Sequence, residues 1–358
     1  MTTLESIKTM ENVLPKAHAL NANIATTIAL EHVTHSYGTR MALDDLSFKV
    51  QPAEIFGLLG PNGSGKTTLF RILSTLMVPT GGHARIAGFD VATQPTQVRQ
   101  STGIVFQARS VDIKLTVAEN LMHQGHLYGL SGADLKRRSQ EVLARVGLTD
   151  RANDMVETLS GGQQRRVELA KGLIHSPAVL LLDEPSTGLD PGARRDLWQY
   201  LRILRDEHGV SVLVTTHLME EAEHCDRLAI LNAGKLVALG TPAELKAEIG
   251  GDVIQLDTAN PEAAAGLAAR VQERFQIPTT IVGSAVRMER EQGHRFVTEV
   301  VEAFPGELEG ISVAKPSLED VFIQRTGHRF WTDTGVEMNA KDKKAAEKKA
   351  HAAKKGRA

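Results

Sequence analysis

One segment of nine residues predicts the architecture around it: Gly60-Pro61-Asn62-Gly63-Ser64-Gly65-Lys66-Thr67-Thr68. It follows a short apolar run, 55–59, and precedes an amphipathic stretch that predicts a helix over 66–76. The glycines allow the backbone to curl with its N–H groups pointing inward, and a helix N-terminus adds partial positive charge. The segment therefore predicts a phosphate-binding loop, in which Lys66 would reach the terminal phosphates of a nucleotide and Thr67 would ligate Mg²⁺.

A second apolar run supplies the acidic partners that such a loop needs. Residues 179–182 end in Asp183 and Glu184, two carboxylates in succession. We expect Asp183 to hold Mg²⁺ and Glu184, one position further along, to polarise an attacking water as general base. Taken alone, the same two acids could simply cap the next helix.

Strand and helix signals alternate from about residue 28 to 250, which predicts an α/β fold with a mainly parallel central sheet. Short apolar runs predict buried strands, and amphipathic stretches predict helices between them. The strands are Ile55–Leu59, Gly103–Phe106, Val179–Leu182 and Val210–Thr215, and the helices are 66–76, 117–128, 133–146, 161–175 and 193–207.

After Gly250 and Gly251 the pattern changes to shorter units. It predicts a strand from Val253, a helix near 263–275, a strand pair and a final helix from about Ser317. We therefore expect four regions: an N-terminal extension over 1–27, a nucleotide-binding unit over 28–251, a small α+β accessory domain over 252–327, and a basic, disordered tail over 328–358.

Composition narrows the functional classes. A net charge of −2 gives no general attraction to nucleic acid, and one cysteine, Cys225, excludes an internal disulfide framework and suits a reducing cytoplasm. Apolar runs such as 178–182 are far shorter than the roughly 18 residues that cross a bilayer. Residues 341–358 hold eight Lys or Arg against two acids. That tail is either a solvated extension or a segment attracted to anionic lipid headgroups.

A further motif points to one superfamily. Leu159-Ser160-Gly161-Gly162-Gln163 ends 20 residues before Asp183 and opens a predicted helix, so that Ser160 and the glycine N–H groups form a second anion cradle. It resembles the signature motif of ATP-binding cassette (ABC) proteins. The resemblance implies a P-loop ATPase cassette over 28–251 with ATP and Mg²⁺ as cofactors, in which antiparallel β and helical subdomains flank the parallel sheet.

Other positions resemble the same family. Gln107 matches the Q-loop glutamine, which touches Mg²⁺ beneath the permease interface, and His217 matches the switch histidine, which contacts the γ-phosphate. The run 186–190, ending in Asp190, matches the D-loop that crosses the dimer partner. Tyr37 matches the aromatic residue that stacks on adenine.

The segment after His217 allows another interpretation. His217, Glu220, Glu221, His224 and Cys225 are spaced like a helical metal cluster, although the switch role explains the position of His217 better.

In this family the signature cradle cannot reach its own P-loop. The resemblance therefore implies a head-to-tail dimer that encloses two ATP molecules. Each ATP would be held by Lys66, Gln107 and His217 of one chain and by Ser160 and Gly162 of the other.

The C-terminal run 316–323, Pro-Ser-Leu-Glu-Asp-Val-Phe-Ile, resembles a motif of the daunorubicin-resistance class of type-2 exporters. It could equally be a helix that Ser317 caps and that packs through an apolar stripe. The resemblance covers about 28–327 and implies a separate permease with about six membrane spans, a position at the cytoplasmic face of the membrane, and hydrophobic drugs or other amphiphiles as cargo.

Two other classes stay open at this point. One is a soluble ABC ATPase that acts on ribosomes, nucleic acid or iron–sulfur assembly, against which the single cassette and the lack of a long coiled-coil insertion weigh. The other is a regulatory module without catalysis, which the joint presence of Lys66, Asp183, Glu184 and His217 disfavours. We expect no nucleic-acid partner.

Overall fold

A computed structural model of the chain describes residues 26–330. In chain order its strands are β1 (Ile28–Tyr37), β2 (Arg40–Val50), β3 (Ile55–Leu59), β4 (Gly81–Ile86), β5 (Phe89–Asp90), β6 (Thr102–Val105), β7 (Val179–Asp183), β8 (Ser211–Thr216), β9 (Arg227–Asn232), β10 (Lys235–Gly240), β11 (Asp252–Asp257), β12 (Thr280–Val282), β13 (Ala285–Arg290) and β14 (Gly310–Ala314). The helices are α1 (Lys66–Leu73), α2 (Pro95–Ser101), α3 (Val117–Leu127), α4 (Gly132–Arg145), α5 (Gly161–Leu173), α6 (Pro191–His208), α7 (Met219–Ala222), α8 (Pro242–Ala247), α9 (Pro261–Phe275), α10 (Gly293–Ala303) and α11 (Leu318–Thr326). The predicted N-terminal extension up to residue 25 and the basic tail from residue 331 lie outside the described residues.

The central sheet has six strands in the order β10-β9-β3-β8-β7-β6. Strands β9, β3, β8, β7 and β6 run parallel, whereas β10 pairs antiparallel with β9. Every residue of β3, β7 and β8 is buried, because helices or a second sheet cover both faces. The predicted α/β fold with a mainly parallel sheet is confirmed.

A second sheet, antiparallel in the order β2-β1-β4-β5, covers one face of the central sheet. Residues such as Ile28, Leu43 and Phe48 pack with Phe70 of α1 and with Leu58 of β3 in one apolar cluster. The β1–β2 turn includes Gly38 at φ +59, a conformation that favours glycine. This turn sets Tyr37 and Arg40 beside the loop that precedes α1.

The other face is covered by a helical layer. Residues from α3, α4, α5 and α6, among them Leu121, Leu143, Leu169 and Trp198, form one cluster with Leu180 and Val212 of the sheet. Helix α1 ends at Leu73, earlier than predicted, because Thr75 takes φ +60. Helix α5 likewise ends earlier than predicted, at Leu173, ahead of Ser176 at φ +55.

Residues 252–314 form a separate antiparallel sheet in the order β12-β13-β11-β14. Helices α9 and α10 bury Leu267, Phe296 and Val300 against Ile254 and Leu256. The sequence analysis did not predict α10 or β14. Helix α10 follows Gln292 at φ +55 and has no side-chain cap, so the usual start signal of a helix is missing there.

The final helix, α11, joins this second unit to the first. Its Val321 and Phe322 share an apolar cluster with Leu59, Leu228 and Ile230 of the central sheet. On another side, Asp320 forms an ion pair with Arg287 of β13. Phe330, beyond the predicted boundary at 327, is buried against Phe322 with ring centroids 4.9 Å apart.

Candidate functional site

The glycine-rich loop between β3 and α1 has the geometry of an anion cradle. Gly63 and Gly65 take φ +80 and +106, which other residues rarely adopt. A Cβ at Gly60 would lie 2.6 Å from the carbonyl oxygen of Leu231, so the loop has no room for a side chain there. Helix α1 starts after Gly65 without a side-chain cap, which leaves its first N–H groups available to an anionic ligand.

Lys66 lies across this loop. Its Nζ donates hydrogen bonds to the carbonyl oxygens of Gly60 at 2.6 Å and Pro61 at 3.0 Å, and the residue is only 5% exposed. Burial lowers the pKa of Lys66, while the nearby carboxylates of Glu184 and Asp183 oppose that shift. The ammonium group is therefore held at the loop by main-chain oxygens that a phosphate could replace.

Asp183 ends strand β7 and is 8% exposed. Its Oδ1 accepts a hydrogen bond from Oγ1 of Thr215 at 2.5 Å, across the β7–β8 pairing. Burial raises the pKa of Asp183, whereas the Thr215 hydroxyl and the charge of Lys66 act in the opposite direction. A cation bound beside this carboxyl would remove the cost of burying its charge.

The carboxylate of Glu184 contacts two predicted site residues that lie far from it in the sequence, Gln107 and His217. Its Oε2 accepts from Nε2 of Gln107 at 3.0 Å and from Oγ1 of Thr187 at 3.4 Å, and its Oε1 lies 3.0 Å from Nδ1 of His217. Its φ is +44, an unusual value for a non-glycine residue, and its N–H donates to the carbonyl oxygen of Thr215 at 3.1 Å. Such conformations persist where the surrounding structure holds them, and they concentrate at functional sites.

The cleft at this loop contains Tyr37 and most residues of the predicted phosphate-binding loop 60–68. It is lined by Tyr37, Asn62, Gly63, Gly65, Lys66, Thr67, Thr68 and Glu184, together with Arg40, Ala42 and Arg71. Tyr37 is 44% exposed, and its hydroxyl donates to Sδ of Met77 at 3.4 Å. Arg40 and Arg71 were not predicted from the sequence, since a single arginine in a turn or on a helix belongs to no motif.

The signature segment lies elsewhere. Ser160 caps α5: its Oγ accepts from the N–H of Gln163 at 3.3 Å, and Oε1 of Gln163 accepts from the N–H of Ser160 at 2.9 Å. Ser160 and Gly161 are exposed, and Gly162 follows them in the first turn. Asp190 caps α6 by accepting from the N–H of Ala193 at 2.9 Å. Within residues 26–330, neither 159–163 nor Asp190 lines the cleft of the glycine-rich loop.

The metal-cluster interpretation of 217–225 does not hold in the folded chain. Among the described residues no group of three or more His, Cys, Asp or Glu side chains is placed to hold a metal ion. Glu221 is buried against Ser186 and Thr216, whereas His224 packs against Trp198 with centroids 5.2 Å apart.

A buried parallel strand, a glycine loop, a helix that starts at a lysine, and paired acids at the end of a neighbouring strand define a P-loop nucleoside triphosphatase. Residues 43–187 match the family model described as ABC transporter. The chain belongs to the ABC transporter family as an ATP-binding subunit, and it binds nucleotide and hydrolyses ATP.

Similar proteins match most of the chain. It is 36% identical over 335 residues to the daunorubicin/doxorubicin resistance ATP-binding protein of Streptomyces peucetius, covering 91% of this chain and 100% of the relative. It is 38% identical over 312 residues to the Nod factor export ATP-binding protein I of Paraburkholderia xenovorans, covering 85% and 98%. A solved dimeric ATP-binding cassette in a post-hydrolysis state with ADP and Pi superposes with a TM-score of 0.54 at 29% identity, covering 60% of this chain and 98% of that chain.

None of the helices between residues 26 and 330 is both long enough and apolar enough to cross a bilayer.

Proposed function

We propose that this chain is the ATP-hydrolysing subunit of an exporter whose cargo passes through a separate membrane permease. The observation that carries the proposal is that the likeness extends beyond the cassette. The Streptomyces peucetius relative is matched over its full length, and its name associates it with drug resistance. The Paraburkholderia xenovorans relative is matched almost as fully and is named for export.

Binding of MgATP would use the residues around the glycine-rich loop. Main-chain N–H groups within 62–68 and the ammonium of Lys66 would hold the β- and γ-phosphates, and Tyr37 would stack on adenine. Thr67, Asp183 and Gln107 would hold Mg²⁺, which neutralises phosphate charge when bound. The uncapped start of α1 and the raised pKa of the buried Asp183 carboxyl support this assignment, because an anion would bind the first N–H groups of the helix and a cation would stabilise the carboxylate.

Hydrolysis needs a base that faces the γ-phosphate. We assign Glu184 to this role and His217 and Gln107 to its surroundings, since both side chains lie 3.0 Å from its carboxylate. Glu184 would take a proton from the attacking water, and His217 would contact the γ-phosphate. The hydrogen bonds to Glu184 would keep its carboxylate aimed into the cleft.

The second half of each site would come from another cassette in a head-to-tail homodimer. Ser160, Gly161, Gly162, Gln163 and Asp190 are the residues assigned to it. Their absence from the cleft lining within the described chain supports this arrangement, as does the dimeric state of the solved neighbour. ATP would then join the two cassettes, and hydrolysis would release them.

The remaining assignments concern the surroundings of the protein. We place it at the cytoplasmic face of the membrane, bound to a permease with about six spans, as such exporters arrange their subunits. We take hydrophobic drugs or other amphiphiles as cargo because the similar proteins include drug-resistance subunits. The separate core of residues 252–314 supports a division near residue 251 into cassette and accessory domain.

The test is ATP hydrolysis by wild type and Glu184→Gln, each alone and with a candidate permease in lipid vesicles. We expect turnover that requires Glu184 and rises when the permease and an amphiphile such as daunorubicin are added. Turnover that requires Glu184 but ignores every permease would favour the alternative, a soluble ABC ATPase, and would overturn the exporter.

A further inference from the structure

Glu221 is a buried acid that the proposed chemistry does not use. It lies in α7, directly after strand β8, and is 2% exposed. Its Oε2 accepts a hydrogen bond from Oγ1 of Thr216 at 2.6 Å, and its Oε1 accepts one from the hydroxyl of Ser186. Nε of Arg194 on α6 lies 3.8 Å from the same Oε1. One carboxylate thus joins the end of β8, the segment after β7 and helix α6.

Both hydroxyl partners of Glu221 stand next to partners of Glu184. Thr216 immediately precedes His217, whose Nδ1 is 3.0 Å from Oε1 of Glu184. Ser186 immediately precedes Thr187, whose hydroxyl donates to Oε2 of Glu184 at 3.4 Å. Glu221 therefore holds two separate backbone segments that each present a side chain to Glu184.

The side chains that make these contacts are buried. Ser186 and Thr216 are 2% and 1% exposed, and Thr216 Oγ1 also accepts from the N–H of Leu218 at 3.0 Å. Buried hydroxyl groups that lose their partner are costly, so removing the carboxylate should move these segments rather than leave them in place. Burial raises the pKa of Glu221, and the Thr216 hydroxyl and the charges of Arg194 and His217 oppose that shift.

We propose that Glu221 is a positioning residue for hydrolysis, which fixes His217 and Thr187 around Glu184 and links segment 186–190 to the switch histidine. This inference rests on the proposed role of Glu184 as general base. A displacement of 186–190 by a second cassette would reach His217 through the two hydroxyl contacts of one carboxylate. Ser186 and Thr216, which donate hydrogen bonds to Glu221, do not line the nucleotide cleft, so the effect of Glu221 should fall on turnover and not on binding.

The test compares Glu221→Ala, Glu221→Gln and the control Glu220→Ala, which removes the same charge from the neighbouring exposed position. For Glu221→Ala we expect kcat to fall about 10- to 100-fold while KM for ATP stays within about twofold, because misplaced groups slow the chemical step. Glu221→Gln should recover most of kcat, since its amide can accept from one hydroxyl and donate to the other. Glu220→Ala should leave both parameters within about twofold of wild type.

Two further variants keep the test valid if Glu221→Ala does not fold. Ser186→Ala and Thr216→Val each remove one of the two contacts, and each should lower kcat without raising KM for ATP. An unchanged kcat in all folded variants, a Glu221→Gln as slow as Glu221→Ala, or a loss that appears only in KM would overturn the positioning role. Failure of the proposed function is a separate result, because it would appear as wild-type turnover that Glu184→Gln does not reduce.

Discussion

The two halves of the proposed nucleotide site, the P-loop half and the signature half, are built in opposite ways. In the P-loop half, Lys66 starts helix α1 after strand β3, whereas Asp183 and Glu184 lie together at the end of strand β7, and Lys66 and Asp183 are buried. In the signature half, Ser160 and Gly161 are exposed and the polar groups of the segment bond within a single turn of α5. The first half is held by the tertiary structure of this chain, and the second is a locally complete helix start.

That difference has a physical consequence for the two halves. In the P-loop half, burial lowers the pKa of Lys66 and raises the pKa of Asp183, so burial favours the neutral form of each group. A ligand that brings an opposite charge close to either group would therefore stabilise its charged form. In the signature half, Ser160, Gly161 and the one assigned charged residue, Asp190, are exposed, so no charge is buried there. We therefore expect the first half to govern nucleotide binding by a single chain, and the second to act only in the ATP-joined dimer that hydrolyses ATP.

Removing the ammonium of Lys66 should cause the largest loss of ATP turnover among the variants of the P-loop half. For Lys66→Ala we expect ATP turnover to fall by more than about 100-fold, since charge stabilisation at the γ-phosphate is lost. Lys49→Ala, at an exposed position of β2, is the matched control and should keep wild-type turnover. Residual activity near wild type in Lys66→Ala would show that the loop is not the site of hydrolysis.

Glu184→Gln separates binding from hydrolysis within the same half. The amide keeps the shape of the side chain but cannot act as a base, so turnover should fall about 100-fold while ATP binding persists. The unhydrolysed ATP should then hold two chains together, measured as a dimer by sedimentation with ATP and as a monomer with ADP. A monomer under both conditions would contradict the shared site.

The signature half can be tested with a pair of serine caps. Ser160→Ala and Ser317→Ala each remove the side-chain cap of a capping box, at α5 and α11 respectively, and each should cost about 1 kcal/mol of stability. Only Ser160→Ala should also lower ATP turnover, by about tenfold, with nucleotide affinity of the isolated chain unchanged. Equal turnover in the two variants would remove Ser160 from the site.

The smallest effect should come from Asp183→Asn in the nucleotide-free protein. Because burial raises the pKa of Asp183 in the folded state, this carboxyl destabilises the fold as the pH rises above its unfolded value of 3.8. The melting temperature of Asp183→Asn should therefore exceed that of wild type at neutral pH, and the gain should disappear in acid. Asp190→Asn, an exposed cap beside the signature half, should give no such gain. A lower melting temperature in Asp183→Asn at neutral pH would contradict this reading.

Local motifs explain how much of the site could be predicted. The loop 60–68, the pair Asp183 and Glu184, and the cap at Ser160 are each written in consecutive residues, and the α/β order follows from apolar runs between them. Gln107 and His217 needed a family resemblance, because nothing in the sequence states that they approach Glu184.

The contacts that could not be predicted from the sequence depend on which strands lie side by side in the sheet. Thr215 reaches Asp183 because β7 pairs with β8, and Glu221 meets Ser186 for the same reason. Side chains of this kind are ordinary serines, threonines and acids until the sheet order is known. Helix α10 was missed on different grounds, since it begins without a cap.

Helix α11 follows the accessory sheet in the sequence but packs against the central sheet of the cassette. On the proposed division near residue 251, the polypeptide leaves the cassette at Gly251 and returns to it at Leu318, where Val321 and Phe322 pack in the same cluster as Leu59, the residue before the phosphate loop. In protein-engineering terms the accessory sheet is an insertion and not a terminal appendage. Stopping translation after Gly251 would uncover part of the cassette's own interior, whereas a short linker from 251 to 317 would excise the sheet and keep that cover. An exchange of the accessory sheet between related proteins should accordingly use two junctions, one near residue 251 and one near residue 317.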